Sequence, residues 1–257
     1  MNYNNIHIEL DLPIAVLTIC REKALNSLDN ETIEEIYNAL SLLEKDKKIK
    51  VVIITAKGKA FIAGADIKHM SSFSSKDVLK FSQKGHRLMK KIQYFKKPVI
   101  CAVNGYALGG GLELVLCCDI VIASPKARFG LPEINLGLIP GFGGTQRLIR
   151  LVGKNLAKEI IFTGDSIDAK RAYEIGIVNK IVPQNRLLAE SKALAKRIGS
   201  KSSTVLRIVK ELLEKTQYLE LQKGLKTEIA LFVKCFRAKD AKEGLKAFLE
   251  KRVPRFD

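Results

Sequence analysis

The sequence predicts an α/β fold, a largely parallel sheet covered by helices, followed by a helical tail. Three observations carry this. Strand-like and helix-like segments alternate through the first half of the chain, the pattern of βα units. The run Val51–Ala56 is apolar almost throughout, as a buried strand is. From Gly144 onward the strand signal fades and helical periodicity takes over.

In chain order, residues 6–10 and 15–20 read as strands, with Asp11-Leu12-Pro13 as the turn between them. Residues 30–46 read as an amphipathic helix, with Ile33, Ile36, Leu40 and Leu43 at helical spacing. Val51–Ala56 is a strand ended by Lys57-Gly58-Lys59. A helix between residues 76 and 95 is stopped by Lys97-Pro98, since proline cannot continue it. Val99–Val103 and 119–123 are the next strands. Beyond Gly144 only 177–182 looks extended. Helices are expected over Gly144–Val152, 155–162, 168–174, 187–198, 203–236 with a break, and 240–251. The boundary falls near 195–205, dividing a mixed core (1–198) from a helical region (199–257).

Length and composition bound the function. A chain of 257 residues, 47% hydrophobic and 28% charged, is an ordinary globular protein able to bury a sizeable core. Residues 1–9 carry no basic segment followed by an apolar one, and Arg255-Phe256-Asp257 is neither a lipidation site nor a peroxisomal address. No apolar run approaches membrane-spanning length, and a cytoplasmic location is expected. The five cysteines, at 20, 101, 117, 118 and 235, form no Cys-x-x-Cys and read as free thiols of a reducing compartment. His7, His69 and His86 lack ligand spacing, so no metal is expected. The net charge is +17, and from Arg150 onward there are 24 Lys+Arg against 13 Asp+Glu. That balance favours an anionic partner or a well-solvated helical surface.

Two glutamates stand out. Glu113 ends the run Asn104-Gly105-Tyr106-Ala107-Leu108-Gly109-Gly110-Gly111-Leu112-Glu113 and leads into Leu114-Val115-Leu116-Cys117-Cys118, predicting a helix over 112–118. Glu133 lies in Phe129-Gly130-Leu131-Pro132-Glu133-Ile134, ahead of the glycine-rich stretch 136–145. Carboxylates rarely enter such surroundings unless paired or used. Each alone also fits a first-turn helix residue that complements the dipole. Together they suit a shared water, one glutamate taking a proton and the other giving one. A third element is Phe61-Ile62-Ala63-Gly64-Ala65-Asp66-Ile67-Lys68, where small residues permit close approach of a ligand and Asp66 can begin a helix. N–H groups from this turn and from Gly109-Gly110-Gly111 can form an oxyanion hole for a carbonyl. The chemistry so assembled is proton transfer next to an activated carbonyl.

These residues give the chain a resemblance to the crotonase (enoyl-CoA hydratase) superfamily, and within it to the hydratases. It rests on Arg21-Glu22-Lys23-Ala24-Leu25-Asn26-Ser27-Leu28, Ile62-Ala63-Gly64-Ala65-Asp66-Ile67-Lys68, residues 104–119 and 127–147, and Ala247-Phe248-Leu249-Glu250-Lys251-Arg252. It covers essentially the whole chain. The resemblance implies a spiral of ββα turns and a helical oligomerisation region building trimers stacked as a hexamer. It implies addition of water to trans-2-enoyl-CoA to give (3S)-3-hydroxyacyl-CoA, with Glu113 activating the water and Glu133 protonating the α-carbon. The amides of Ala65 and Gly110 would bind the thioester oxygen. Lys23, Ala24, Ala65, Asp66, Ile67, Lys68 and Gly110 would line the coenzyme A site. Coenzyme A is part of the substrate and no separate cofactor is implied. Superfamily isomerases usually lack one glutamate, so the pair favours hydration. Leu131 and His69 depart from the common hydratase pattern, and Leu131 is expected to reshape the acyl pocket.

Other readings fit less well. Gln146 occupies the third glycine position of a dinucleotide motif begun at Gly141, and Gly110 is followed by Gly111 rather than a P-loop lysine. A glycosidase also uses two carboxylates, but the chain has no tryptophan for sugar stacking. RNA binding through Arg87, Lys90, Lys91, Lys96 and Lys97, interleaved with Tyr94 and Phe95, is the rival from a different class. The spacing instead suggests a helix burying Leu88, Ile92 and Phe95 with its lysines in water, so nucleic acid is not the expected partner.

Overall fold

The computed structural model describes residues 3–256. Strands β1 (Ile6–Asp11) and β2 (Ile14–Ile19) form a hairpin, followed by α1 (Asn30–Lys45), β3 (Val51–Ala56) and β4 (Ala60–Ile62). Next come α2 (Ile67–Met70), α3 (Ser75–Gln93), β5 (Val99–Val103), β6 (Tyr106–Leu108) and α4 (Gly110–Val115). Then follow β7 (Ile120–Ala123), β8 (Arg128–Gly130), α5 (Gly144–Val152), α6 (Lys154–Thr163) and β9 (Ile167–Asp168). The chain continues through α7 (Ala169–Glu174), β10 (Lys180–Ile181) and α8 (Leu187–Gly199). It ends in α9 (Ser203–Thr216), α10 (Leu221–Phe236) and α11 (Lys239–Leu249).

Two sheets organise the core. The larger has the order β1-β2-β3-β5-β7-β10, parallel beyond the β1–β2 hairpin. The smaller runs β4-β6-β8-β9, parallel except at β9. Each turn of the chain lays one strand in the large sheet, one in the small sheet, and then a helix: β3-β4-α2/α3, β5-β6-α4, β7-β8-α5. This is the expected ββα spiral. One face of the large sheet carries Ile14, Val16, Val51, Ile53 and Ile100, which pack with Leu187 and Ala195 of α8. Its other face joins the main core with Ile33, Ile36, Leu40 and Leu43 of α1, as their spacing anticipated. Burial on both faces explains why β3 and β5 are apolar throughout.

The structure corrects several boundaries. The small sheet was not anticipated: β4, β6 and β8 are three residues each, inside segments read as glycine turns. The helix expected over 112–118 is α4, which starts at Gly110 and ends at Val115. The extended stretch 177–182 contains only two strand residues, and β9 went unread. The 203–236 helix breaks between Thr216 and Leu221. On α3 and just beyond it the amphipathic reading holds for the apolar face, whereas Lys91 and Lys97 are half-buried rather than in water. Leu88, Ile92 and Phe95 are buried, while Arg87 and Lys91 pair with Glu34 and Glu44 and Lys97 donates to the carbonyls of Leu43 and Asp46.

Helix α9 docks on the core through Ile208 and Lys210, while Val209 and Leu213 are exposed. Lys210 Nζ donates to Asp119 Oδ2 at 2.7 Å and faces the carbonyls of Ile92 and Lys97, while Asp119 also accepts the N–H of Val99 at 2.7 Å. Removing one member of a buried pair leaves the other uncompensated. Lys210→Ala should therefore destabilise the protein by roughly 3 kcal/mol, at the low end of that range because Asp119 keeps some solvent. Urea unfolding checks this.

Candidate active site

The site is built where the two sheets meet the helix N-termini. Asn26, buried and left-handed at φ 58, accepts the N–H of Arg21 and donates to the carbonyls of Lys57 and Ala60. This stitches the 21–28 segment to the β3–β4 turn. Leu28 then bridges Ala65, giving its N–H to the Gly64 carbonyl and taking that of Asp66. Asp66 caps α2 by accepting the His69 N–H, and pairs with Arg21 at 2.7 Å. Burial pushes the Asp66 carboxyl up, but the Arg21 guanidinium and the amides of His69 and Lys68 outweigh it and hold it below the usual range.

The second turn enters α4. Gly109 has φ 50, and a Cβ there would lie 3.0 Å from Glu133 Oε1, so only glycine admits this backbone against the carboxylate. As the first residue of α4, Gly110 has no intrahelical acceptor for its N–H. Among the described residues neither the Gly110 nor the Ala65 N–H finds an acceptor. Both residues line one cavity of about 380 Å³, together with Ile67, Glu113 and Glu133. Its walls are otherwise largely apolar, including Met70, Val78, Phe81, Leu138 and Phe142, with the hydroxyl-bearing Ser82 among them. That is the volume and lining of a small-molecule pocket.

The two carboxyls differ in environment. Glu113 is buried, and its Oε1 accepts N–H bonds from Phe142 at 2.8 Å and Gly144 at 2.7 Å. Burial raises its carboxyl above the ordinary range, opposed by those two amides and by the positive charge of Arg147. Glu133 is half-buried on a single 3-10 turn, and its Oε2 has no hydrogen-bond partner among the described residues. Burial pushes it up to about 7, and the neighbouring Glu113 adds to the rise. One carboxylate is thus cradled by amides while the other is poised to hold a proton near neutral pH.

The family model described as enoyl-CoA hydratase/isomerase matches residues 10–257. The chain belongs to that family. It is similar to the crotonyl-CoA hydratase of Syntrophomonas wolfei, 44% identical over 100% of this chain and 99% of that protein. It is also similar to a short-chain-enoyl-CoA hydratase of Clostridium acetobutylicum, 42% identical over 98% of this chain and 97% of that one. A crystal structure of an enoyl-CoA hydratase from Bacillus anthracis superposes with a TM-score of 0.96 at 38% identity, covering 98% of this chain and 99% of that one.

Within this family member, Ala65, Ile67, Gly110, Glu113 and Glu133 share the cavity. Lys23 and Ala24, on a 3-10 turn, and Asp66 and Lys68 stand outside its walls, tied to the same rim by the Arg21–Asp66 pair. Lys23 and Lys68 are exposed. Leu131 does not reach the acyl pocket: it is fully buried, packed toward Gly144. His69 faces Asn30 at 2.9 Å and packs edge-on against Phe73. The sequence reading missed the amides of Phe142 and Gly144. The glycine run 141–144 was visible but carried no assigned role, because which carboxylate it meets depends on contacts about 30 residues apart, as the Phe142–Glu113 bond is.

Proposed function

We infer that this protein is an enoyl-CoA hydratase, a hydro-lyase of fatty-acid metabolism that adds water to trans-2-enoyl-CoA thioesters. The observation that carries this is two glutamates on one largely apolar cavity, one cradled by two amides and the other with an unpartnered oxygen, beside two amides that find no acceptor among the described residues. The thioester oxygen sits between the Ala65 and Gly110 N–H groups, which stabilise the negative charge that develops as the double bond is attacked. Glu113 takes a proton from water, and the oxygen adds to the β-carbon. Glu133, near half-protonated at neutral pH, gives its proton to the α-carbon from the same side. The product is the (3S)-3-hydroxyacyl-CoA. The chemistry calls on side chains and peptides alone, with coenzyme A entering as part of the substrate. Lys23, Ala24 and residues 65–68 flank the coenzyme A portion, whose phosphates suit their basic rim. A short acyl chain fits a cavity of about 380 Å³. Hydration of crotonyl-CoA, followed by loss of conjugated-thioester absorbance and repeated with C8 and C12 substrates, tests the reading. Absence of turnover with every chain length would overturn it.

The chain also builds a homo-oligomer, a hexamer of two trimers, in the cytoplasm. Its region 199–257 exposes Leu221, Ile229, Phe232, Phe236, Phe248 and Leu249, each more than half accessible. No helix of the described residues is long and apolar enough to cross a membrane. An apolar surface of this extent marks an association face. Sedimentation at micromolar concentration should give a trimer-based species, and deletion of residues 203–257 should give insoluble or inactive protein. A stable monomer, or a soluble active truncation, would count against it.

A further inference from the structure

Glu113 Oε1 is held by two amides of one turn, yet among the described residues no lysine or arginine forms an ion pair with this carboxylate. What holds the turn is Arg147, one helical turn into α5. Its Nη1 donates to the carbonyl of Phe142 at 3.0 Å, so a single residue gives its N–H to Glu113 and its C=O to the guanidinium. Arg147 Nε donates to Gln93 Oε1 at 3.0 Å, and Gln93 Nε2 donates to Glu214 Oε2 at 2.7 Å. These groups line a second cavity, of about 260 Å³, beside the C-terminal end of α4. The chain of bonds thus runs from the tail helix α9 through α3 and α5 to the catalytic turn.

We propose that Arg147 is a positioning residue for hydration, locking the Phe142–Gly144 turn that orients Glu113, and that Gln93 and Glu214 tie this lock to the helical tail. The proposal rests on reading Glu113 as the base. The amide at position 93 serves both partners: its oxygen accepts from the guanidinium while its NH₂ donates to the carboxylate. As a neutral spacer it separates Arg147 from Glu214, and among the described residues Arg147 pairs directly with no carboxylate. Its charge is therefore left to act on Glu113 through the turn. The other titratable groups around the pair are Glu133 across the acyl cavity, Cys117 behind Glu113, His86, Tyr94 and Glu214 around Arg147, and Cys118, Asp119, Arg150 and Tyr218 on the walls of the second cavity. A nearby cation favours the ionised carboxylate, so removing it raises the base's pKa and moves the acid limb of activity to higher pH.

The test is the pH profile of kcat/KM and kcat for crotonyl-CoA hydration, with full-length variants checked by thermal melting. Arg147→Gln should lower kcat by about tenfold or more, since a displaced base loses near-attack geometry. Its acid limb should move up by ~0.5–1 pH unit, as loss of a nearby cation dictates. Arg147→Lys should restore the limb but not kcat, because it supplies the charge without the planar fork. Gln93→Glu should move the limb in the same direction as Arg147→Gln, by neutralising the guanidinium. Should Arg147→Gln not fold, the Gln93→Glu profile decides alone. Wild-type limbs and kcat in folded variants would overturn the proposal. Glu113→Gln runs beside them: full activity there defeats the base assignment itself, whereas its inactivity with unmoved Arg147 and Gln93 profiles defeats only the positioning role.

Discussion

Glu113→Gln and Glu133→Gln are each expected to lower kcat for crotonyl-CoA hydration by at least ~10²-fold, with acyl-CoA binding little changed. The size of the effect follows from what glutamine keeps. At position 113 its carbonyl oxygen still accepts the Phe142 and Gly144 N–H groups, now 2.8 and 2.7 Å from Oε1, so the turn and the pocket wall remain. Only proton acceptance is lost. At position 133 the unpartnered Oε2 becomes an amide that fills the same space but has no acidic proton to give. Steady-state kinetics beside acyl-CoA titration measures both. If both variants keep near wild-type kcat, neither glutamate carries the reaction.

The raised pKa of Glu133 also affects stability. Its folded value of about 7 lies above the ordinary 4.5, so between those pH values the native state holds a proton that the unfolded chain releases. Stability from this group is full below the unfolded value and is lost as pH rises through about 7. Glutamine carries no such loss. The melting temperature of Glu133→Gln relative to the parent should therefore be higher at pH 8 than at pH 4.5, while its activity is the lower of the two. An equal difference at both pH values would mean that the carboxyl is not held proton-rich by its site.

How much of this was legible in the sequence depends on how local each signal is. The helix α1 was readable because Ile33, Ile36, Leu40 and Leu43 repeat on one face. The Asp66 cap and the two glutamates were readable because their residue types clash with their neighbours. The small sheet was not. Strands of three residues such as β4, β6 and β8 are too short to show alternation, and each is paired to a strand far along the chain. The turn 141–144 shows only as glycines, and its meeting with Glu113 is set by the docking of α4 on α5. Lys210 was hidden for a related reason. A lysine among alternating charges reads as solvated, and only the approach of Asp119 from another element reveals a buried pair.

Gly110→Pro is expected to lower kcat by ~10²–10³-fold, the usual effect of losing one oxyanion donor. Position 110 is the first residue of α4, where proline fits the helix and removes an N–H that the helix does not use. The substitution thus approaches deletion of a single donor. It is not wholly clean, because a Cβ at this position meets Leu28 Cδ1 at 3.2 Å and the Phe142 ring at 3.3 Å. Gly110→Ala makes the same contacts and keeps the N–H. Loss of activity in the proline variant, with the alanine variant retaining most of it and circular dichroism unchanged in both, assigns the effect to the donor. Equal losses in the two would assign it to the Leu28 and Phe142 contacts. A folded, fully active Gly110→Pro enzyme would show that the thioester oxygen does not lie between Ala65 and Gly110, and the pose built on those two amides would have to be abandoned.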